Sequence, residues 1–102
     1  MTSGIDMPDK VTLQNLNHPD YAKQVDRAMY EAMKQAFLKV LPKAAPGLIF
    51  DELAQAVLPH LPDSLYPGGA KAGWYTKAVQ MDLEAKNIIA RAKTRPLRLH
   101  KI

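Results

Sequence analysis

Residues 79–89 read Val79-Gln80-Met81-Asp82-Leu83-Glu84-Ala85-Lys86-Asn87-Ile88-Ile89, and the joint they describe decides the fold. Val79 and Leu83 are four residues apart, so they share one helix face and can hold it to a core. Asn87 stands where a helix ends in a left-handed residue, a backbone state that asparagine tolerates better than most. Ile88-Ile89-Ala90-Arg91-Ala92 then reads as a strand, Lys93-Thr94-Arg95-Pro96 as a turn, and Leu97 to Ile102 as a returning strand. A helix from about Ala70 to Lys86 therefore reverses into a C-terminal β-hairpin.

Upstream, the pattern is helical twice more. Asp26 is placed to accept the first free backbone N–H groups of a helix. Behind it Met29, Met33, Ala36, Phe37, Val40 and Leu41 recur at three- and four-residue spacing, while Lys23, Arg27, Glu31, Lys34 and Lys39 are expected in solvent. Met29 and Met33 could form an adaptable groove, but methionine at helical spacing reads more simply as core filler. Pro42 ends this helix. After the linker Lys43–Gly47, a second helix spans about Phe50 to Leu58 and buries Leu53, Val57 and Leu61. Pro59 and Pro62 interrupt it, and a loop runs through Tyr66-Pro67-Gly68-Gly69. At the start, Lys10–Leu16 alternates as a short strand, Asn17-His18-Pro19-Asp20 is dense in turn formers, and Tyr21–Val25 can return as a second strand. Residues 1–9 read as a flexible lead-in and residues 10–102 as a single domain, since 102 residues are too few for two cores.

Three helices followed by a two-stranded hairpin is the order of a winged helix-turn-helix. The 79–89 joint resembles the winged-helix pattern of an apolar residue, three spaces, Leu, a charged turn, Gly and two apolar residues; here Asn87 stands for the Gly. The expected class is therefore α+β: three helices, a C-terminal hairpin wing and a short N-terminal hairpin. The stretch from Pro59 to Leu99 is also similar to a family of small bacterial proteins that carries only an unknown-function label. Its likeness rests on Pro-Gly-Gly-Ala-Lys-Ala-Gly-Trp (67–74), Val-Gln-Met-Asp-Leu-Glu-Ala-Lys-Asn-Ile-Ile (79–89) and Pro-Leu-Arg-Leu (96–99), and extends back to about Lys10. That resemblance implies relatives without implying an activity, and it brings no catalytic residues. One departure is Ile49, where many winged helices start the second helix with Thr or Ser; the missing cap weakens that start by about 1 kcal/mol.

The charge of +4 is unevenly placed. Residues 86–102 hold Lys86, Arg91, Lys93, Arg95, Arg98 and Lys101 with no acidic residue, giving +6. Residues 1–85 hold eight basic and ten acidic residues, giving −2. A localised basic segment is what a phosphate-backbone binder presents; the competing reading is a solvated tail that keeps the chain in solution. The hydrophobic share of 47% against 24% charged argues for a packed domain. With no cysteine, disulfides and Cys-based zinc sites are excluded, and a reducing, cytoplasmic setting is expected. No run approaches membrane-spanning length, so no membrane partner is expected.

In the third helix, Ala72, Thr76, Val79 and Leu83 form the expected core side. The opposite face collects Trp74, Ala78, Met81 and Ala85, which is apolar, whereas base reading needs Arg, Asn, Gln, Lys or Ser/Thr. Only Lys71, Lys77 and Gln80 flank it. Coverage by the N-terminal hairpin or by a second chain competes with DNA contact for this face. The Pro67–Gly73 loop is the candidate for anion contact through its glycines, the helix N-terminus and Lys71, although it lacks the G-x-x-x-x-G-K-[ST] spacing.

Catalytic and metal chemistry find no support. His18, His60 and His100 lie in separate segments without ligand-like spacing. His60 near Asp63 and Ser64 has no nucleophile elbow, and Asp82 and Glu84 point to different sides of their helix. The reading is a non-enzymatic module with no metal or cofactor, binding nucleic acid weakly through Lys71, Lys77, Arg91, Lys93, Arg95 and Arg98. The alternative is a protein–protein or homo-oligomerisation domain using Trp74, Ala78, Met81 and Ala85.

Overall fold

The structure is a computed structural model that describes residues 9–15, 17–18 and 20–102. Strand β1 (Lys10–Thr12) pairs antiparallel with β2 (Gln24–Asp26), with Val11 opposite Val25. Helix α1 (Arg27–Val40) follows directly, then β3 (Leu48–Ile49), α2 (Phe50–Val57), α3 (Ala72–Ala85), β4 (Ile89–Ala92) and β5 (Arg98–Lys101). The second sheet has the order β3-β5-β4, both pairings antiparallel. The expected α+β class, with three helices and a C-terminal hairpin, is what the described residues form. Residues 1–8 of the expected lead-in lie outside them, as do Leu16 of the expected first strand and Pro19 of its turn. Asp9 already belongs to the fold, its carbonyl accepting from Arg27 N at 2.8 Å.

The element ends differ from the sequence reading for identifiable reasons. Strand β1 ends at Thr12, and beyond it Leu13 N donates to the Lys23 carbonyl at 2.8 Å and Gln14 N to Asp82 of α3 at 2.8 Å. The returning strand starts at Gln24, not Tyr21, and its last residue, Asp26, is also the α1 cap. The Asp26 carboxylate accepts from Met29 N at 3.0 Å. Helix α2 stops at Val57 because Pro59 cannot continue it, and Leu58–His60 tighten into a 3₁₀ turn. Helix α3 starts at Ala72, two residues late, because Lys71 is left-handed at φ 66°. Ile49 cannot cap α2, but Glu52 reaches back to Ile49 N at 3.1 Å, which is half of a capping box and offsets the expected weakness.

Strand β3 has no counterpart in the sequence reading. Gly47 precedes it at φ +84°, and a Cβ there would stand 1.9 Å from the Leu99 carbonyl oxygen, so only glycine lets this strand meet β5. At the other end of the sheet Asn87 is left-handed at φ 60°. Ile88 N reaches the Leu83 carbonyl at 2.9 Å, closing α3 in the Schellman arrangement.

The core lies between the three helices and the sheet. Met33, Phe37, Leu53, Val57, Val79, Leu83 and Leu99 are wholly buried. The expected core side of α3 (Ala72, Thr76, Val79, Leu83) is buried as read, and α1 buries Met33, Ala36 and Phe37 as read. Leu61 is only partly covered.

Three tyrosines join this core. Tyr66 donates to the Met29 carbonyl at 2.6 Å and meets Tyr75 edge-on at 5.7 Å. Burial raises the hydroxyls of Tyr30, Tyr66 and Tyr75 above the ordinary tyrosine value. A group raised on folding stabilises the fold only while it stays protonated. Stability is therefore expected to hold below about pH 10 and to fall above it by about 1.4 kcal/mol per pH unit for each of Tyr30 and Tyr66, with a smaller share from Tyr75. Urea midpoints measured from pH 8 to pH 11 check this, and Tyr66→Phe should flatten the alkaline slope by about one such increment.

Candidate nucleic-acid interface

The +6 of the last segment is largely engaged inside the molecule. Arg91 projects from β4 onto Glu84 of α3, Nε to Oε1 at 2.5 Å and Nη2 to Oε2 at 3.0 Å. The hydrogen bonds to Glu84 hold the Arg91 guanidinium above its already high ordinary value. Arg98 donates to the Gly47 carbonyl at 3.0 Å and stands 3.8 Å from Glu52. Lys86 pairs with Asp82 at 2.9 Å and lies 5.3 Å from the Tyr30 ring. Lys101 donates to the Leu38 carbonyl at 3.0 Å.

That leaves Lys93 and Arg95. Both are exposed in the turn between β4 and β5, and neither has a hydrogen-bond or ion-pair partner among the described residues. With Arg91, Thr94 and Leu97 they border an open concavity of about 620 Å³. Of the six cations read from the sequence, Arg91 and Arg98 are thus tied to carboxylates or backbone, while the other four remain outward. Lys71 is exposed at the start of α3, and Lys77 is exposed with its ammonium 5.2 Å from the Phe50 ring.

The third helix is not apolar all round. Its polar residues Thr76, Gln80, Asp82 and Glu84 are buried, so Gln80, read as flanking the outer stripe, is not part of any surface. Asp82 Oδ1 accepts from Gln14 N at 2.8 Å, and its Oδ2 accepts from the Tyr30 hydroxyl and from Lys86. Glu84 accepts from Gln80 Nε2 at 2.8 Å as well as from Arg91. Two carboxylates that could be taken for surface charges therefore bind α3 to α1, to the N-terminal segment and to the hairpin. On the outer stripe Ala78, Met81 and Ala85 are half-buried, whereas Trp74 is 45% exposed.

The N-terminal hairpin borders Trp74 without covering it. Lys23 Nζ sits 5.3 Å from the indole centroid, and Tyr75 packs edge-on at 5.1 Å. A groove of about 480 Å³ opens between hairpin and helix, edged by Lys10, Lys23 and Lys71 and floored by Val25, Met29 and Tyr75. Lys10 and Lys23 were not read as site residues. They lie 51 or more positions from Trp74, and the sequence brings the N-terminal hairpin to this face only as a candidate cover, with no role for its lysines.

The Pro67–Gly73 loop is less open to an anion than its glycines suggest. Gly68 N donates to Asp63 Oδ1 at 3.1 Å, and Gly69 N and Ala70 N bond within the turn. Among the described residues no group of three His, Asp or Glu side chains is placed to hold a metal ion, and no helix is long and apolar enough to cross a membrane.

These features define a small α+β domain with a basic hairpin tip and a basic, aromatic groove. Residues 10–99 match the model of a family described as a family of unknown function (DUF6958), and the chain belongs to that family. No curated protein and no solved structure matches it.

Proposed function

We propose that the chain is a non-enzymatic, winged-helix-type module that binds nucleic acid weakly, by neutralising backbone phosphates. The winged-helix reading is supported by the order helix, helix, helix, hairpin, with β3 added at the base of the hairpin through β5. The observation that carries the binding reading is the partnerless pair Lys93 and Arg95 at the hairpin tip. Their neighbouring cations are all held by the fold. Exposed cations without carboxylate partners exchange condensed counterions for phosphate contacts, which gives affinity without base reading. Lys71 and Lys77 add two further contacts on α3. The outer face of α3 is poor in base-reading side chains, which favours backbone contact over sequence recognition. The absence of cysteine agrees with a cytoplasmic setting.

The test is anisotropy of a labelled DNA duplex at low salt, with structured RNA in parallel. Binding that Lys93→Ala/Arg95→Ala weakens about tenfold or more supports the reading. No salt-sensitive binding to either ligand removes it.

A second reading, self-association through Trp74, Ala78, Met81 and Ala85, is favoured by one observation: a large indole left 45% exposed on a half-apolar face. Sedimentation of wild type against Trp74→Ala decides it. A strictly monomeric wild type removes self-association.

A further inference from the structure

We infer that the groove between the N-terminal hairpin and α3 is a second site, which takes an unpaired base of a single-stranded nucleic acid against Trp74. It rests on the nucleic-acid reading above, but it uses a different surface from the hairpin tip.

Three features converge there. Trp74 lines a cavity of about 480 Å³ and is 45% exposed, and the Tyr75 ring packs edge-on against the indole. Three lysines, Lys10, Lys23 and Lys71, line the cavity, and none has a carboxylate partner among the described residues. The one carboxylate on the rim, Asp26, is engaged at the start of α1 by Met29 N. The site therefore pairs a stacking platform with surplus positive charge, the combination that binds single strands without sequence readout.

The position of Lys23 makes the exchange concrete. Its ammonium occupies the space over the indole, 5.3 Å from the centroid, as a cation does when no better partner is present. An incoming base takes that face, and the long Lys23 side chain swings aside to meet the phosphate. A duplex keeps its bases stacked internally and offers no face to Trp74. An acidic peptide satisfies the lysines but leaves the indole unused.

Trp74 is the only tryptophan in the chain, so fluorescence excited beyond the tyrosine absorption band reports on this groove. The full chain is titrated at low salt with an oligoadenylate of about ten nucleotides, within the usual span of such sites. Saturable quenching is expected, lost as salt rises. By anisotropy of the labelled strand, Trp74→Ala should bind about tenfold more weakly, Trp74→Phe should keep most of the affinity, and Lys23→Ala should weaken it several-fold. Trp74 is half-exposed, and unchanged circular dichroism confirms that its variants fold. Duplex binding without quenching by the single strand overturns the groove and leaves the hairpin tip standing. Quenching without duplex binding does the reverse. Polyglutamate or inorganic polyphosphate displacing the strand at equal charge would overturn the groove as a base site, since neither has a face to stack.

Discussion

Asp82→Ala is expected to lose about 3–5 kcal/mol of stability, a large part of what holds a domain of this size together. The Asp82 side chain is fully buried, and its two oxygens serve three donors from three parts of the chain. Removing it strands the buried Tyr30 hydroxyl and the Gln14 N–H. The Lys86 ammonium, about a third exposed, can turn to water and contributes less. Lys86→Met leaves the fully buried Asp82 carboxylate with two donors but without its counter-ion, and is expected to cost about 2–3 kcal/mol. Urea denaturation of the two variants provides the comparison, and an Asp82→Ala loss below about 1 kcal/mol would contradict the network's role.

Glu84→Ala carries the second large effect, and it has two opposite signs. The Glu84 side chain is buried and bound by both Gln80 and Arg91. Gln80 is itself wholly buried, and its Oε1 has no partner even in the intact fold. Without Glu84 the Gln80 amide loses its one side-chain hydrogen bond among the described residues, while Arg91, more than a third exposed, is free to rotate outward. A loss of about 2–4 kcal/mol is expected. The freed guanidinium should at the same time tighten duplex binding and steepen its salt dependence by about 0.9 in log–log slope. A variant that is less stable yet binds better separates the structural use of Arg91 from a phosphate-binding use. Equal or weaker binding by the folded variant would place Arg91 in the interface already.

The same residues mark how far the sequence can be read. Local rules suffice where one residue type does one thing: Asp26 as cap, Pro42 as stop, Asn87 as left-handed joint, and the Ala72/Thr76/Val79/Leu83 face as core. Charge counting fails in the last segment because it weighs every cation alike. Arg98 and Lys101 find their partners on Gly47 and Leu38, at separations no window covers, and Arg91 reaches Glu84 only because the chain reverses at Asn87 between them. Tyr30 escapes the apolar pattern of α1 because its hydroxyl partner is 52 residues away on α3. Strand β3 is two residues long, too short to alternate, and exists because Gly47 lets it approach β5. The groove is legible only in part: the sequence offers the hairpin as a cover for Trp74 and names Lys71, but that Lys10 and Lys23 reach the indole is a tertiary event.

The central claim is that the fold engages most of the basic segment and leaves the hairpin tip to meet phosphate. Its most direct measurement is the slope of log affinity against log salt for a DNA duplex. Lys93→Ala/Arg95→Ala should reduce that slope by about 1.8, while Arg91→Gln, which keeps a donor to Glu84, should leave it unchanged. An Arg91→Gln protein that loses as much slope per charge as the tip variant would contradict it.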